Sequence, residues 1–399
     1  MLVNNLAVSG GYQKTTLRLS TELTKKGHDV IIYTLKVDPA RCYPSLLKDC
    51  KIVSVNAGKE LFDPASKTRE FEKLAQLLDE NLDAVIVHDD LCLSCLRFFR
   101  SRNRSAKCIW YLNNQLPSEF TIDHKRLLLQ SLRKYEGIKV VLRELLSLLR
   151  LMRTKRRMKG NLRYVDVIAV YDHFNGKLVE THLRREATVV YAGADVDRFS
   201  TLLSGRVYGR KEVYKILSVG VIFPHRRYSD LIRAVKMLLN DNYKVSATIV
   251  GLPDFHPEYY RNLLSLTEAL DLKRHISFRD HVTDGEMLKL FMESDIFVFV
   301  NDGFTWGISV FEAIASGLPI VITNNIGAAD IIRNGIDGWV VKPRDPLAIA
   351  QAIKSIIDDP DQVARVTSSA FDHTAQIVSW EAFAQRIFDL LTTSTLNRQ

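Results

Sequence analysis

The sequence lacks an apolar run long enough to cross a membrane. No stretch of its 399 residues reaches the roughly 18 consecutive apolar residues that a spanning helix needs. The first eleven residues, MLVNNLAVSGG, do not have the basic and then apolar pattern of a secretory signal peptide. We therefore expect a cytoplasmic protein.

Cysteine is scarce as well. The chain has five cysteines, an odd number without regular spacing, which is typical of a reducing compartment and excludes a disulfide scaffold. Cys92 and Cys95 have the spacing of a redox motif, but no second pair accompanies them. We interpret these two as packing residues on a helix, with a redox role as the less favoured alternative.

Positive charge is unevenly distributed. The net charge is +9, yet residues 125–163 alone carry thirteen Lys or Arg against Glu136 and Glu144, so the rest of the chain is close to neutral. Residues 123–158 have helical periodicity and a wide apolar face, and basic amphipathic helices are typical of membrane-surface elements. We predict that residues 125–163 bind an anionic membrane surface. A solvated basic face over a packed helical hairpin is the alternative.

Nucleic acid is a poor match for the same basic segment. The segment has no interleaved aromatic residues and no recognisable nucleic-acid-binding motif. We expect no nucleic-acid partner.

Residues 295–345 show the organisation of the fold. Three apolar runs of strand length, 296–300, 319–323 and 338–341, are separated by short connections, and residues 308–315 have helical periodicity. Such nearly all-apolar strands are typical of a parallel sheet that is buried on both faces. The chain length favours two to three domains, and the strand and helix pattern occurs in both halves.

The loop before the 308–315 helix has the composition of a phosphate site. Gly303 and Gly307 allow a tight turn that brings backbone N–H groups to the start of the helix, next to Ile308. Glu312, on the first turns of this helix, can accept hydrogen bonds from hydroxyl groups. Gly10 and Gly11 form a similar turn in the first half, and Arg226 and Arg227 follow a strand and can bind phosphate oxygens.

Residues 304–319, together with 327–343, resemble the nucleotide-sugar-binding core of the retaining GT-B glycosyltransferases of family four. In that family, two glutamates eight positions apart flank the glycine turn; here the second is Glu312, and Phe304 stands at the first. The resemblance implies an α/β protein of the GT-B fold, with two Rossmann-like domains whose parallel sheets face each other across a cleft. It implies no metal and no cofactor, only a nucleoside diphosphate sugar as substrate.

The resemblance also implies domains and site residues. We expect an acceptor-side domain over 1–199 with the basic insert at about 123–160, a nucleotide-sugar-binding domain over 200–375, and a helix over 376–399 that crosses back. Residues 201–210 are the expected linker. Arg226, Glu312 and Asn113 are the expected catalytic residues. The expected donor-binding residues are Gly10, Gly11, Arg226, Arg227, Gly251, His281, Val282, Phe304, Gly307, Ile308 and Glu312.

The implied function is transfer of a hexose, with retention, to an acceptor hydroxyl. The expected acceptor is a lipid-linked or surface glycan at a membrane. Phe304, Asn113 and Val221 each replace a polar residue that the family places near the sugar or the diphosphate. This motivates an alternative, a weakly active or inactive relative that acts as a binding or scaffold partner. A sugar-nucleotide epimerase is a further alternative, but the acid and base carboxylates that it needs are not found.

Overall fold

A computed structural model describes residues 1–55, 64–112, 138–254, 256–280, 282–303 and 305–393. The chain divides into two compact units. Unit 1 comprises Met1–Tyr191 together with Phe383–Gln399, and unit 2 comprises Ala192–Ala382.

Unit 1 contains a parallel sheet of seven strands in the order β3-β2-β1-β4-β5-β6-β7. Adjacent strands are joined in register, for example Val85 with Cys108. The order reverses between β1 and β4, as in a Rossmann-like fold. The strands are β1 Leu2–Leu6, β2 Ile31–Val37, β3 Lys51–Ser54, β4 Ala84–Val87, β5 Lys107–Leu112, β6 Val167–Val170 and β7 Thr188–Val189.

Helices cover the unit 1 sheet and build its core. Strand residues such as Val85 and Trp110 pack with helix residues such as Leu96 and Met158. Removing these apolar side chains from water is the main stabilising contribution to the unit. Its helices are α1 Gly11–Lys25, α2 Pro44–Leu47, α3 Pro64–Gln76, α4 Leu93–Arg102, α5 Ile138–Asn161 and α6 His173–Leu183.

Unit 2 repeats this architecture with a six-stranded parallel sheet in the order β10-β9-β8-β11-β12-β13. The strand order reverses between β8 and β11. Its strands are β8 Tyr214–Val219, β9 Val245–Val250, β10 Ile276–Arg279, β11 Ile296–Phe299, β12 Ile320–Thr323 and β13 Trp339–Val341. The three strands predicted between 296 and 341 are confirmed, each to within one residue at its ends.

The unit 2 core lies between the sheet and the helices that pack on it. Leu231 and Val235, four residues apart on α8, are buried against Ile349 and Ile353 of α12. The helices of unit 2 are α7 Val196–Ser200, α8 Tyr228–Asn240, α9 Pro257–Ala269, α10 Asp284–Glu293, α11 Ile308–Ala315, α12 Pro346–Asp358 and α13 Pro360–Thr374. A last helix, α14 Trp380–Thr392, begins in unit 2 and continues in unit 1. The predicted helix over 308–315 is confirmed as α11.

The segment predicted as a linker, residues 201–210, is part of unit 2. Arg206 donates hydrogen bonds to the carbonyl oxygens of Phe291 at 2.8 Å, Ser294 at 2.6 Å and Ser316 at 3.0 Å. It thereby caps the carboxyl ends of α10 and α11. The units divide after Tyr191 and after Ala382, whereas the predicted boundaries are residues 199 and 375.

Contacts between the segments around residues 194 and 380 explain why the units divide at other residues than predicted. The sequence pattern does not indicate these contacts. The Ala194 N–H donates to the Val378 carbonyl at 2.8 Å, and the buried Trp380 Nε1 donates to Asp195 at 2.7 Å. A Cβ on Gly193 would overlap the Trp380 ring. These contacts hold both segments within unit 2.

Candidate functional site

The loops of unit 2 meet at the point where its strand order reverses. Ligands of doubly wound sheets bind outside the carboxyl ends of the strands at such a point. Here β8 and β11 are neighbours, with Leu217 paired to Phe297. The chain leaves β8 toward the turn Pro224–Arg226 and leaves β11 toward Gly307. The two segments that carry the predicted phosphate-binding residues therefore share one edge of the sheet.

Arg226 is fixed at this edge by an aromatic ring. Its guanidinium carbon lies 4.6 Å from the ring centroid of Phe299, the last residue of β11. A cation in this position is held by the electron-rich ring face. Gly220 makes room for it, since a Cβ there would lie 3.3 Å from the Arg226 Cζ.

Arg227 is engaged by a neighbouring carboxylate. Its Nε and Nη2 donate to the two oxygens of buried Asp230 at 2.9 and 2.8 Å, across the first turn of α8. A bidentate pair of this kind is strong and geometrically specific. The structure thus gives Arg227 a contact that holds the start of α8.

The segment after β11 is tied to the segment after β8. The Asp302 N–H donates to the His225 carbonyl at 2.6 Å. Burial, and then the charge of Arg226, lower the pKa of His225 to about 4, so its imidazole is neutral at pH 7. Arg226 is therefore the cation of this turn.

Asp302 also binds an arginine from a third segment. Arg344, which follows β13, donates from Nε to Asp302 Oδ2 at 2.6 Å, and its Nη2 lies 2.6 Å from the same oxygen. The hydrogen bond to Asp302, followed by the charge of the same carboxylate, raises the pKa of Arg344. Two arginine–aspartate pairs thus lie at the same edge of unit 2.

Helix α11 begins at this edge. Gly307 has φ +88°, a conformation that favours glycine, and it precedes Ile308, the first residue of the helix. Ser309 Oγ donates to the Val219 carbonyl at 3.3 Å, which joins the helix start to the end of β8. Glu312 is buried one turn further on. The free N–H groups of a helix start favour an anion.

Gly251 has a packing role. A Cβ there would overlap the Gly220 carbonyl oxygen and lie 3.2 Å from Ile222 Cγ1. The loops after β8 and β9 can approach this closely only because residue 251 is glycine. Val282 is half-buried and precedes Thr283, whose side chain and that of Glu286 form the capping box of α10.

Three predicted site residues, Asn113, His281 and Phe304, lie outside the described residues. Their predicted roles stay predictions. Val221, at the position of an expected cation, is half-buried in the loop after β8.

Unit 1 brings Gly10 and Gly11 to its own reversal point, between β1 and β4. Gly10 caps α1 and Gly11 is its first residue. A Cβ on Gly10 would lie 2.5 Å from Gln13 Oε1, so the turn packs closely against a buried glutamine. The Tyr43 hydroxyl donates to the Gly10 carbonyl at 3.3 Å.

Two adjacent carboxyl groups follow β4 at the same edge of unit 1. Asp89 accepts a hydrogen bond from the Leu91 N–H at 3.0 Å. Burial, and then the charge of Asp89, raise the pKa of Asp90. Burial followed by the charge of Asp89 also raises the pKa of Tyr12 on α1, so Asp89 interacts electrostatically with both Asp90 and Tyr12. Neither aspartate is among the site residues predicted from the sequence.

Three further titratable residues that follow β4 in unit 1 are buried. His88 is fully buried, and burial lowers its pKa to about 3. Cys92 and Cys95 are buried as well, and burial raises the pKa of Cys95 to about 12, which disfavours the reactive thiolate. Among the residues that the structure describes, no group of three or more His, Cys, Asp or Glu is placed to hold a metal ion.

Helix α5 carries an exposed apolar and basic surface. Leu145, Leu149 and Met152, spaced as one helical face, are 41%, 43% and 54% exposed, and Leu146 is exposed beside them. The following turns present Arg153, Arg156, Arg157 and Lys159 to solvent, whereas Met158 is buried in the unit 1 core. Within the described ranges, no helix is both long enough and apolar enough to span a bilayer.

A comparison with known families assigns a segment of unit 2 to a family. The sequence profile described as "Glycosyl transferases group 1" matches residues 206–373, which include Arg226, Gly307 and Glu312. Residues 206–373 belong to the glycosyl transferases group 1 family. This group 1 region contains the whole β8–β13 sheet.

Curated relatives match about half of this chain. A D-inositol 3-phosphate glycosyltransferase from Corynebacterium glutamicum (strain R) is 27% identical over 222 residues, which cover 53% of this chain and 52% of that protein. The putative glycosyltransferase YtcC of Bacillus subtilis (strain 168) is 24% identical over 218 residues, covering 50% of this chain and 52% of that protein. The chain therefore spans about half the length of the curated relatives that it matches.

Solved structures share the fold over both units. Anabaena Alr3699/HepE in complex with UDP and glucose superimposes with a TM-score of 0.75 at 14% identity, covering 98% of each chain. A glycosyltransferase from Rickettsia africae ESF-5 superimposes with a TM-score of 0.72 at 17% identity, covering 98% of this chain and 96% of the other. The fold of the chain is thus GT-B, with two Rossmann-like α/β domains.

Proposed function

We propose that the protein is a glycosyltransferase that moves a hexose from a nucleoside diphosphate sugar to an acceptor hydroxyl. The observation that carries this proposal is the placement of Arg226, held against Phe299, and of the start of α11 at one edge of the unit 2 sheet, where its strand order reverses. An arginine and a helix N-terminus at one sheet edge are the groups that bind a diphosphate.

In the proposed reaction, the anomeric C–O bond breaks as negative charge builds on the leaving diphosphate. Arg226 and the N–H groups at the start of α11, preorganised by Phe299 and Gly307, would stabilise that charge. Glu312 would accept hydrogen bonds from the ribose hydroxyls. Removing one such charge-assisted hydrogen bond costs about 1.5–3 kcal/mol.

We further propose that transfer proceeds with retention and without a metal ion. The acceptor would attack from the side that the leaving group vacates, so no protein nucleophile is required. The cationic side chain of Arg226 would stabilise the negative charge of the leaving diphosphate, as a divalent cation does in metal-dependent enzymes.

The proposed acceptor is a lipid-linked or surface glycan at a membrane. The support comes from α5, where Leu145, Leu149 and Met152 are followed along the same helix by Arg153 and Arg156. Each basic residue near an anionic leaflet contributes about 1 kcal/mol. The apolar side chains would enter the boundary between headgroups and acyl chains.

Nucleotide binding and turnover test the proposed reaction together. UDP, the nucleotide named with Anabaena HepE, is the first probe, and GDP is the second. Isothermal titration is followed by incubation of the protein with radiolabelled UDP- and GDP-sugars and a lipid extract. Transfer supports the proposal. Binding without transfer or hydrolysis favours the scaffold alternative, and absence of both counts against a nucleotide-sugar site.

Liposome flotation tests the membrane surface. The wild-type protein is expected to float with phosphatidylglycerol vesicles and much less with phosphatidylcholine vesicles. A Leu149→Gln, Met152→Gln double variant should lose flotation. Leu264→Gln, which changes a leucine of α9 with the same 41% exposure as Leu145, is the matched control. Equal flotation of all three proteins would refute a role for α5.

A further inference from the structure

Asp302 joins three segments of unit 2 that are far apart in the chain. Its backbone N–H donates to the His225 carbonyl at 2.6 Å, in the segment after β8. Its carboxylate accepts from Arg344, 42 residues later, in the segment after β13. Asp302 itself belongs to the segment between β11 and α11. One residue therefore connects the loop that carries Arg226 to the loop that ends at Gly307.

The residues beside Asp302 are fixed as well. Asn301 is buried, its side-chain amide donates to the Gly303 carbonyl, and its backbone N–H donates to Thr323 Oγ1 at 3.0 Å. The loop is thus anchored to β12 immediately before Asp302. The Arg344 pair adds an anchor on the side that faces β13.

The backbone of Arg344 explains why this pair differs from an ordinary surface ion pair. Its φ is +62°, a left-handed conformation in which any side chain is strained and glycine is not. The Arg344 side chain is 69% exposed, so packing does not account for an arginine here, whereas the Asp302 side chain that it binds is only 19% exposed. The contact with Asp302 is the feature that distinguishes arginine from glycine at this position.

We propose that the Asp302–Arg344 pair is a positioning device of the nucleoside diphosphate site. By holding the β11–α11 loop against the His225 carbonyl, it sets the distance between Arg226 and the start of α11. Arg344 also compensates the Asp302 carboxylate, which would otherwise repel a diphosphate at this edge. The inference rests on the proposed function, since the diphosphate is the ligand that Arg226 and the start of α11 would both bind.

The Arg344→Gly variant distinguishes a positioning role of Arg344 from a contribution to the stability of the fold. Glycine relieves the backbone strain, so the melting temperature of the variant should equal or exceed that of the wild type. Its affinity for UDP or GDP, whichever the wild type binds, should nevertheless fall about tenfold, as for a coupled contact in a binding site. Arg344→Lys retains a cation within reach of Asp302 and should keep the affinity within about threefold of wild type.

A double-mutant cycle tests whether Arg344 acts through Asp302. Asp302→Ala should also weaken nucleotide binding about tenfold, and the Asp302→Ala, Arg344→Gly double variant should bind no more weakly than either single variant. Lys273→Ala, which removes the exposed Lys273–Glu268 pair of unit 2, is the control and should bind like the wild type.

Two results would overturn the inference. One is wild-type nucleotide affinity in Arg344→Gly, and the other is additive losses in the double variant. A wild-type protein that binds neither nucleotide would instead refute the proposed function, and the positioning role with it. The wild-type titration alone therefore separates the two failures.

Discussion

The guanidinium carbon of Arg226 lies 4.6 Å from the ring centroid of Phe299, the residue that ends β11. The cation is carried by the loop after one strand and held by the end of the neighbouring strand. Its place at the sheet edge is therefore determined by strand pairing, and the loop sequence alone does not set it.

Arg226→Gln should weaken binding of the nucleoside diphosphate by about 1.5–3 kcal/mol, because it removes a charged hydrogen-bond donor from the anion. Arg226→Lys should lose less, since it retains the charge but not the fork of donors. Isothermal titration measures both. Arg261→Gln, at an exposed arginine of α9, is the matched control. Unchanged affinity in Arg226→Gln would remove this residue from the site.

Gly251→Ala should destabilise unit 2 by about 1–3 kcal/mol, because the new methyl group would overlap the Gly220 carbonyl oxygen and the two loops would have to separate. Gly285→Ala is the matched control on α10, where nothing lies within 4 Å of the new Cβ. It should stabilise the protein by about 0.4–1 kcal/mol. Thermal unfolding compares the variants. Equal melting temperatures would mean that the loops after β8 and β9 tolerate a side chain.

Asp337 is the buried centre of a polar cluster in unit 2. It accepts from Arg333 Nε at 2.6 Å, Ser369 Oγ at 2.9 Å and His373 Nδ1 at 2.9 Å. Burial alone would raise the pKa of Asp337, but the hydrogen bonds from Arg333, His373 and Ser369 hold it well below its usual range.

Asp337→Asn should therefore destabilise the protein by about 1–3 kcal/mol at pH 7, because it weakens the hydrogen bonds to a buried carboxylate whose partner Arg333 is itself half-exposed. Because the folded-state pKa is depressed, the stabilisation is present above the unfolded pKa of about 3.9 and is lost as the pH falls below it. Urea unfolding at pH 7 and at pH 3.5 measures this, with the exposed Asp241→Asn as control. A stability difference that does not shrink at pH 3.5 would contradict the linkage.

Asp90→Asn should raise the melting temperature, and the gain should grow with pH. The pKa of Asp90 is raised by burial and then by Asp89, so its favourable contribution is complete below the unfolded pKa and is lost as the pH rises through the folded value. Melting temperatures at pH 5, 6.5 and 8 test this. Asp49→Asn, at an exposed aspartate of unit 1, should show no such trend. A gain that is constant over this range would mean that Asp90 titrates normally.

Much of the fold is predictable from local pattern. The apolar runs at 296–300 and 319–323 and the helix over 308–315 are where the structure has β11, β12 and α11. Strands that are buried on both faces must be apolar throughout, and a helix that covers them must repeat its apolar residues every three to four positions. Both patterns can be recognised within a short stretch of the sequence.

The two compact units divide at other residues than the predicted domains. The polar segment over 201–210 has the composition of a linker, but Arg206 binds it to the carboxyl ends of α10 and α11. An arginine that caps distant helices has no signature in the residues next to it. The hydrogen bond between Trp380 and Asp195 likewise cannot be predicted from the residues that neighbour either of them in the sequence.

The amino-acid order by itself determined the alternation of strands and helices, and it placed Arg226, Gly307 and Glu312 beside strand ends or helix starts. Only the tertiary structure decided that Phe299 stacks on Arg226, that Asp230 engages Arg227, and that Arg344 reaches Asp302. The physical reason is the distance along the chain over which each interaction acts. Secondary structure follows from periods of two and 3.6 residues, whereas an ion pair between residues 42 positions apart exists only after the sheet has brought its loops to one edge.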